Sequence, residues 1–179
     1  MSINTHLNYS PNFNSKKRQK KQIKFIVFHY TGMKSEKKAI DRLTKIQSQV
    51  SSHYLISTNG DILSLVPDIY IAWHAGKSSW KNYISLNRYS IGIEIVNPGH
   101  QFGYKNFSKK QISTLIKLSK YLIKKYKIKK NNILGHSDIS PERKLDPGER
   151  FPWKELSKKN IGIWPKIDIL ILKRMRNKE

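Results

Sequence analysis

Residues 23–30, Ile-Lys-Phe-Ile-Val-Phe-His-Tyr, run almost without a polar break and stop at Thr31-Gly32. Extended, such a segment carries apolar side chains on both faces and needs cover on both, which fits a buried central strand ending in a loop. His29 therefore falls at a strand's C-terminal end. Residues 90–97 (Ser-Ile-Gly-Ile-Glu-Ile-Val-Asn) alternate instead, with Ile91, Ile93 and Ile95 on one face and Gly92, Glu94 and Val96 on the other. Residues 52–57 and 61–66 flank Thr58-Asn59-Gly60, a hairpin turn because Asn and Gly tolerate positive φ. Ala39, Ile40, Leu43 and Ile46 recur at helical spacing behind Ser35 as N-cap. From Ser108, with Gln111 completing a capping box, Ile112, Leu115, Ile116, Leu122, Ile123 and Tyr126 mark a long amphipathic helix. Residues 132–135 read as a short strand leading to His136, and 68–88 as a long ordered loop. This alternation predicts an α/β (α+β) single domain, a central mixed β-sheet flanked by helices.

Three segments are expected: a basic, irregular N-terminal arm at 1–22, the domain at 23–165, and a basic amphipathic tail at 166–179. Hydrophobic residues at 37% exclude wholesale disorder, and no apolar run approaches the roughly 20 residues of a membrane-spanning helix. Lys and Arg number 35 against 12 acids, a net charge of +23. That imbalance attracts polyanions, whether nucleic acid, an anionic membrane face or an acidic cell-wall polymer. A Lys-, Asn- and Ile-rich bias from AT-rich coding accounts for it equally well. Cysteine is absent, so disulfides, thiolate metal sites and cysteine nucleophiles are excluded, and any metal must use His and carboxylates. Residues 1–22 hold no apolar h-region, so cytoplasmic residence is the expectation.

Of the six histidines, His6 and His100 sit in polar stretches and read as solvated. His29 and His136 each end a strand, where α/β sheets assemble sites, and Asp146 lies in a Leu-Asp-Pro-Gly turn. Two imidazoles and a carboxylate suit zinc, and three protein ligands leave a fourth position for water. No two of them lie at a short diagnostic spacing, so hydrogen-bonded core histidines remain the alternative. Glu94 either points into solvent from an edge strand or acts as a general base beside a metal-activated water. Lys144 is either a surface lysine or the stabiliser of an oxyanion.

Phe28-His29-Tyr30-Thr31, Ser52-His53-Tyr54-Leu55, Ala72-Trp73-His74-Ala75-Gly76, Ser90 to Asn97, Gly135-His136-Ser137-Asp138 and Arg143-Lys144-Leu145-Asp146-Pro147-Gly148 occur in this order. So arranged, the chain resembles the zinc-dependent N-acetylmuramoyl-L-alanine amidases of the AmpD/AmiD type, which share their fold with peptidoglycan recognition proteins. The resemblance spans about 23 to 165. It implies hydrolysis of the amide between the lactyl group of N-acetylmuramic (or 1,6-anhydro-N-acetylmuramic) acid and L-alanine of the stem peptide, in peptidoglycan recycling or turnover. It implies one Zn2+ held by His29, His136 and Asp146, with Glu94 as general base and acid and Lys144 polarising the carbonyl or stabilising the tetrahedral intermediate. Trp73, His74, Ala75 and Asn87 would line the substrate groove and Tyr30, His53 and Trp80 border it, although aromatics there could equally be core. The implied partners are muropeptides, with an anionic wall polymer drawn to the basic surface, and a monomer is expected. A non-catalytic peptidoglycan-binding module and a cationic nucleic-acid-binding domain are the competing classes; retention of all three ligands and Glu94 favours the enzyme.

Overall fold

The computed structural model describes residues 3–165, and the segment at 166–179 read as a basic tail lies outside them. Among the described residues the strands are β1 (His6–Leu7), β2 (Phe13–Asn14), β3 (Phe25–Tyr30), β4 (Tyr54–Ile56), β5 (Ile62–Ser64), β6 (Ile71–Ala72), β7 (Ser79–Trp80), β8 (Tyr83–Ile84), β9 (Ser90–Ile95) and β10 (Ile133–Gly135). The α-helices are α1 (Glu36–Thr44), α2 (Lys109–Tyr126), α3 (His136–Ile139) and α4 (Trp153–Lys158). The main sheet has the order β1-β5-β4-β9-β3-β10. β4, β9, β3 and the edge strand β10 run parallel to one another, while β5 returns antiparallel to β4. This is the mixed, helix-flanked sheet expected from the sequence.

Parallel strands must be covered on both faces, and the alternation along β3 and β9 divides the core accordingly. Ile26 and Phe28 of β3 and Ile91, Ile93 and Ile95 of β9 pack with Ile112, Leu115, Leu118 and Leu122 of α2. Phe25 and Val27 face the other way, against Ala75, Leu86, Leu134 and Ile139. Each such fully buried side chain contributes on the order of 1.5–3 kcal/mol. Local signals set the ends of the elements. Ser35 Oγ accepts from the backbone N–H of Lys38 at 3.3 Å. At α2, Ser108 Oγ accepts from Gln111 N at 3.2 Å while Ser108 N donates to Gln111 Oε1 at 3.0 Å. The β4–β5 turn closes through Gly60, whose φ of +89° suits glycine.

Two segments are more ordered than their sequence implied. Within 68–88, β6 pairs with β2 and β7 with β8. Residues 3–22, expected as an irregular arm, place β1 on the edge of the main sheet and bury Arg18. The Arg18 guanidinium donates to the carbonyls of Asp68, Asn87 and Arg88 at 2.9–3.2 Å. The β2–β6 pair, β1 and the buried Arg18 have no local periodic signal, because each depends on partners fifty or more residues away. No helix among the described residues is long and apolar enough to cross a membrane.

Candidate metal centre

His29, near the end of β3, stands in register with Glu94 of β9. Both lie on the sheet face turned away from α2, since their neighbours Phe28 and Ile93 or Ile95 take the α2 side. His136 opens α3 directly after β10, and the loop carrying Asp146 is tied back to it by Ser137 N donating to the Asp146 carbonyl at 2.9 Å. Carboxyl ends of adjacent parallel strands, where α/β sheets place their ligands, thus bring together residues 117 positions apart.

His29 Nδ1 and His136 Nδ1 are 3.0 Å apart, and Asp146 Oδ2 lies 2.9 Å and 3.1 Å from them. All three side chains are buried, and together they form a group able to hold a metal ion. The donor set fits one. His136 Nε2 is 3.0 Å from the Ala75 carbonyl, which can only accept, so the neutral imidazole carries its proton there and turns a lone pair from Nδ1 toward the cluster. A carboxylate oxygen and imidazole lone pairs converging on one point repel unless a cation lies among them. Their spacing is close to the about 3.3 Å between ligand atoms in a tetrahedron of roughly 2.0 Å bonds. Burial, reinforced by the neighbouring His136, lowers the His29 pKa to about 4 despite the adjacent Asp146 carboxylate, which favours the neutral, ligating form. Burial pushes the Asp146 carboxyl up, but the polar contacts of its Oδ2 with His136 and His29 outweigh it and hold it well below the usual range.

The cluster forms the inner wall of a cavity of about 440 Å³. Glu94 lines it too, and its Oε2 is buried with no hydrogen-bond partner among the described residues. Burial, with Asp146 nearby, raises this carboxyl well above its ordinary pKa against the pull of Lys144. An unpartnered buried carboxyl in a cavity wall is available to an incoming proton or donor. Lys144 lines the same wall.

The seven residues expected around a groove divide into two groups. Tyr30, Trp73 and His74 line the cavity, Tyr30 at its rim with its hydroxyl 2.9 Å from His100 Nδ1. His53, Ala75, Trp80 and Asn87 do not. His53 and Ala75 are fully buried, and Trp80 lines a separate hollow with Trp153 and Trp164. Asn87 turns its side chain onto the backbone of residues 74 and 75. Each is diverted by a bond or packing contact within the fold that spacing alone does not reveal. Arg143 and Ser90 escaped sequence reasoning. Arg143 donates to the carbonyls of Ala75 and Lys77 at 3.1 Å and 2.8 Å. Ser90 shares the Gly92/Glu94 face of β9, and a glycine inside a strand was the one signal that something approaches closely there.

A mixed sheet carrying a His/His/Asp cluster able to hold a metal ion, beside a partly buried glutamate, marks the candidate site. The family profile of N-acetylmuramoyl-L-alanine amidases matches residues 19–149, and the chain belongs to that family. It is 42% identical over 137 residues to AmiD of Escherichia coli K12, covering 70% of this chain and 49% of AmiD. AmiD in complex with the substrate anhydro-N-acetylmuramic acid-L-Ala-D-γ-Glu-L-Lys superposes with a TM-score of 0.74, covering 81% of this chain and 60% of that one. AmpDh3 of Pseudomonas aeruginosa, 33% identical, superposes at 0.75 over 99% of this chain and 72% of its own. The chain spans about half the length of the curated relatives it matches.

Proposed function

We propose that this chain is a zinc-dependent N-acetylmuramoyl-L-alanine amidase, cleaving the amide between N-acetylmuramic or 1,6-anhydro-N-acetylmuramic acid and L-alanine of the stem peptide. The observation that carries this reading is the convergence of His29 Nδ1, His136 Nδ1 and Asp146 Oδ2 beside the unpartnered Glu94 carboxyl. The likeness to AmiD, which holds an anhydromuramyl peptide, supports the substrate class. Nitrogen and carboxylate donors favour zinc, which when bound supplies a Lewis acid and lowers the pKa of water to about 7.

Glu94, ionised, takes the proton of the attacking water, and its raised pKa makes it a competent acid for returning that proton to the departing alanine nitrogen. The water oxygen bonds to the lactyl carbonyl carbon to give a tetrahedral oxyanion, whose collapse breaks the amide C–N bond and leaves a carboxylic acid and a free amine. The Lys144 ammonium faces the same cavity and stabilises the oxyanion of the tetrahedral intermediate. Tyr30 and Trp73 present aromatic surface to the sugar and peptide. Peptidoglycan recycling or turnover, in the cytoplasm, is the setting we assign.

The test is mass spectrometry of reducing and anhydro muropeptides incubated with the protein before and after chelation. Free stem peptide, lost on chelation and restored by zinc, is the expected result. Binding without cleavage would leave a peptidoglycan-binding module instead.

A further inference from the structure

Behind the metal-facing atoms lies a second row of residues. His29 Nε2 is 3.0 Å from His74 Nδ1, His74 Nε2 is 3.0 Å from Ser90 Oγ, and Ser90 Oγ donates to the Leu86 carbonyl at 2.6 Å. A carbonyl only accepts, so the direction of every proton in this chain is set from its far end. The single Ser90 proton goes to Leu86. Ser90 Oγ then accepts from His74 Nε2–H, which leaves His74 Nδ1 bare to accept from His29 Nε2–H. His29 is left with a lone pair on Nδ1, the atom that faces His136 and Asp146.

The surroundings hold this arrangement in place. His74 is buried. Asn87 Oδ1 accepts from the backbone N–H groups of His74 and Ala75 at 3.1 Å and 2.7 Å, pinning both to one point. The ring of His74 fills space that Gly92 leaves open, because a Cβ there would fall 2.4 Å from it. The next residue along serves the other imidazole, the Ala75 carbonyl accepting from His136 Nε2. Adjacent residues of one loop thus meet both metal-site histidines, and one face of β9 reads serine for the acceptor, glycine for the ring and glutamate for the chemistry.

We propose that His74 and Ser90 are positioning residues of the metal centre, holding His29 in the tautomer and orientation in which Nδ1 can ligate. This rests on the metal site proposed above. It differs from a groove role for His74, which would alter substrate affinity and leave metal affinity alone.

The experiment is a zinc dissociation constant by chelator competition on the full chain and on His74→Leu, His74→Asn and Ser90→Ala, with circular dichroism of each metal-free form. His74→Leu removes the acceptor for His29 Nε2–H and should weaken zinc binding about 10–100-fold. His74→Asn, whose Oδ1 can stand near the former Nδ1, should recover most of that loss. Ser90→Ala frees the His74 proton to move to Nδ1 and should fall between. Parental zinc affinity in folded His74→Leu and Ser90→Ala would overturn the inference, and if His74→Leu does not fold, Ser90→Ala decides. An unsubstituted protein that fails to bind zinc would overturn the metal reading itself, and the inference with it.

Discussion

Glu94 is the side chain whose environment and proposed task are most closely linked. Its carboxyl is pushed up by burial and by Asp146, so the proton it must shed before acting as a base leaves at higher pH than from an ordinary glutamate. The acid limb of the kcat/KM profile should carry the titration of this carboxyl and disappear with the side chain. Glu94→Gln should lower turnover about 10²–10⁴-fold while zinc content stays at the parental level, because a general base is not a ligand. Turnover assays paired with elemental analysis check both halves, and unchanged turnover would remove Glu94 from the mechanism. Lys144→Met keeps the alkyl stem and removes the charge, and should lower kcat about 10²-fold. A change confined to KM would make Lys144 a binding residue.

Elements show how much was readable locally. The capping box at Ser108, the Asn59-Gly60 turn and the alternation along β9 are short-range signals, and each element stands where they place it. Ser108→Ala should cost about 1 kcal/mol by denaturant titration with kcat unchanged, since it only loosens the start of α2. Gly92→Ala adds one methyl but drives it into the His74 ring, so it should cost about 1–3 kcal/mol and weaken zinc binding in the same protein. Stability lost with zinc affinity intact would mean that the ring can shift freely. The β2–β6 pair and buried Arg18 were not readable, because a two-residue strand or a buried guanidinium has meaning only once distant carbonyls stand beside it.

For the molecule as a whole, buried histidines govern how stability follows pH. Without metal, His29 is held at about 4 chiefly by burial, His53 at about 3 by burial and the Arg18 charge, and His74 well below its ordinary value. Unfolded, all three take up protons near pH 6.5. Below that the unfolded chain binds more protons than the native one, so stability present above about 6.5 is lost as pH falls toward about 4. Glu94 opposes this, its raised pKa taking stability away as pH rises past 4.5, but one carboxyl stands against three imidazoles. The denaturation midpoint of metal-free protein should therefore drop between pH 7 and pH 5, and a flat profile would show that these histidines titrate normally in the fold. Zinc should raise the melting temperature and chelation reverse it, because the ion binds the native cluster.

By itself the sequence determined the strands and helices whose signals are local: the apolar run of β3, the Ile alternation of β9, the capped α2. It also supplied the residue types of the centre, since without cysteine a metal had only histidine and carboxylates to use. The tertiary structure alone decided which atoms meet. Nothing between positions 29 and 146 announces that Nδ1 and Oδ2 will lie 2.9 Å apart, because that distance follows from the pairing of β3 with β10 and from the loop after α3 being tied back to Ser137. Nor does a serine at 90 declare that it orients a histidine at 29 through another at 74. Hydrogen-bond direction is a property of neighbours in space, and the order of residues along the chain does not contain it.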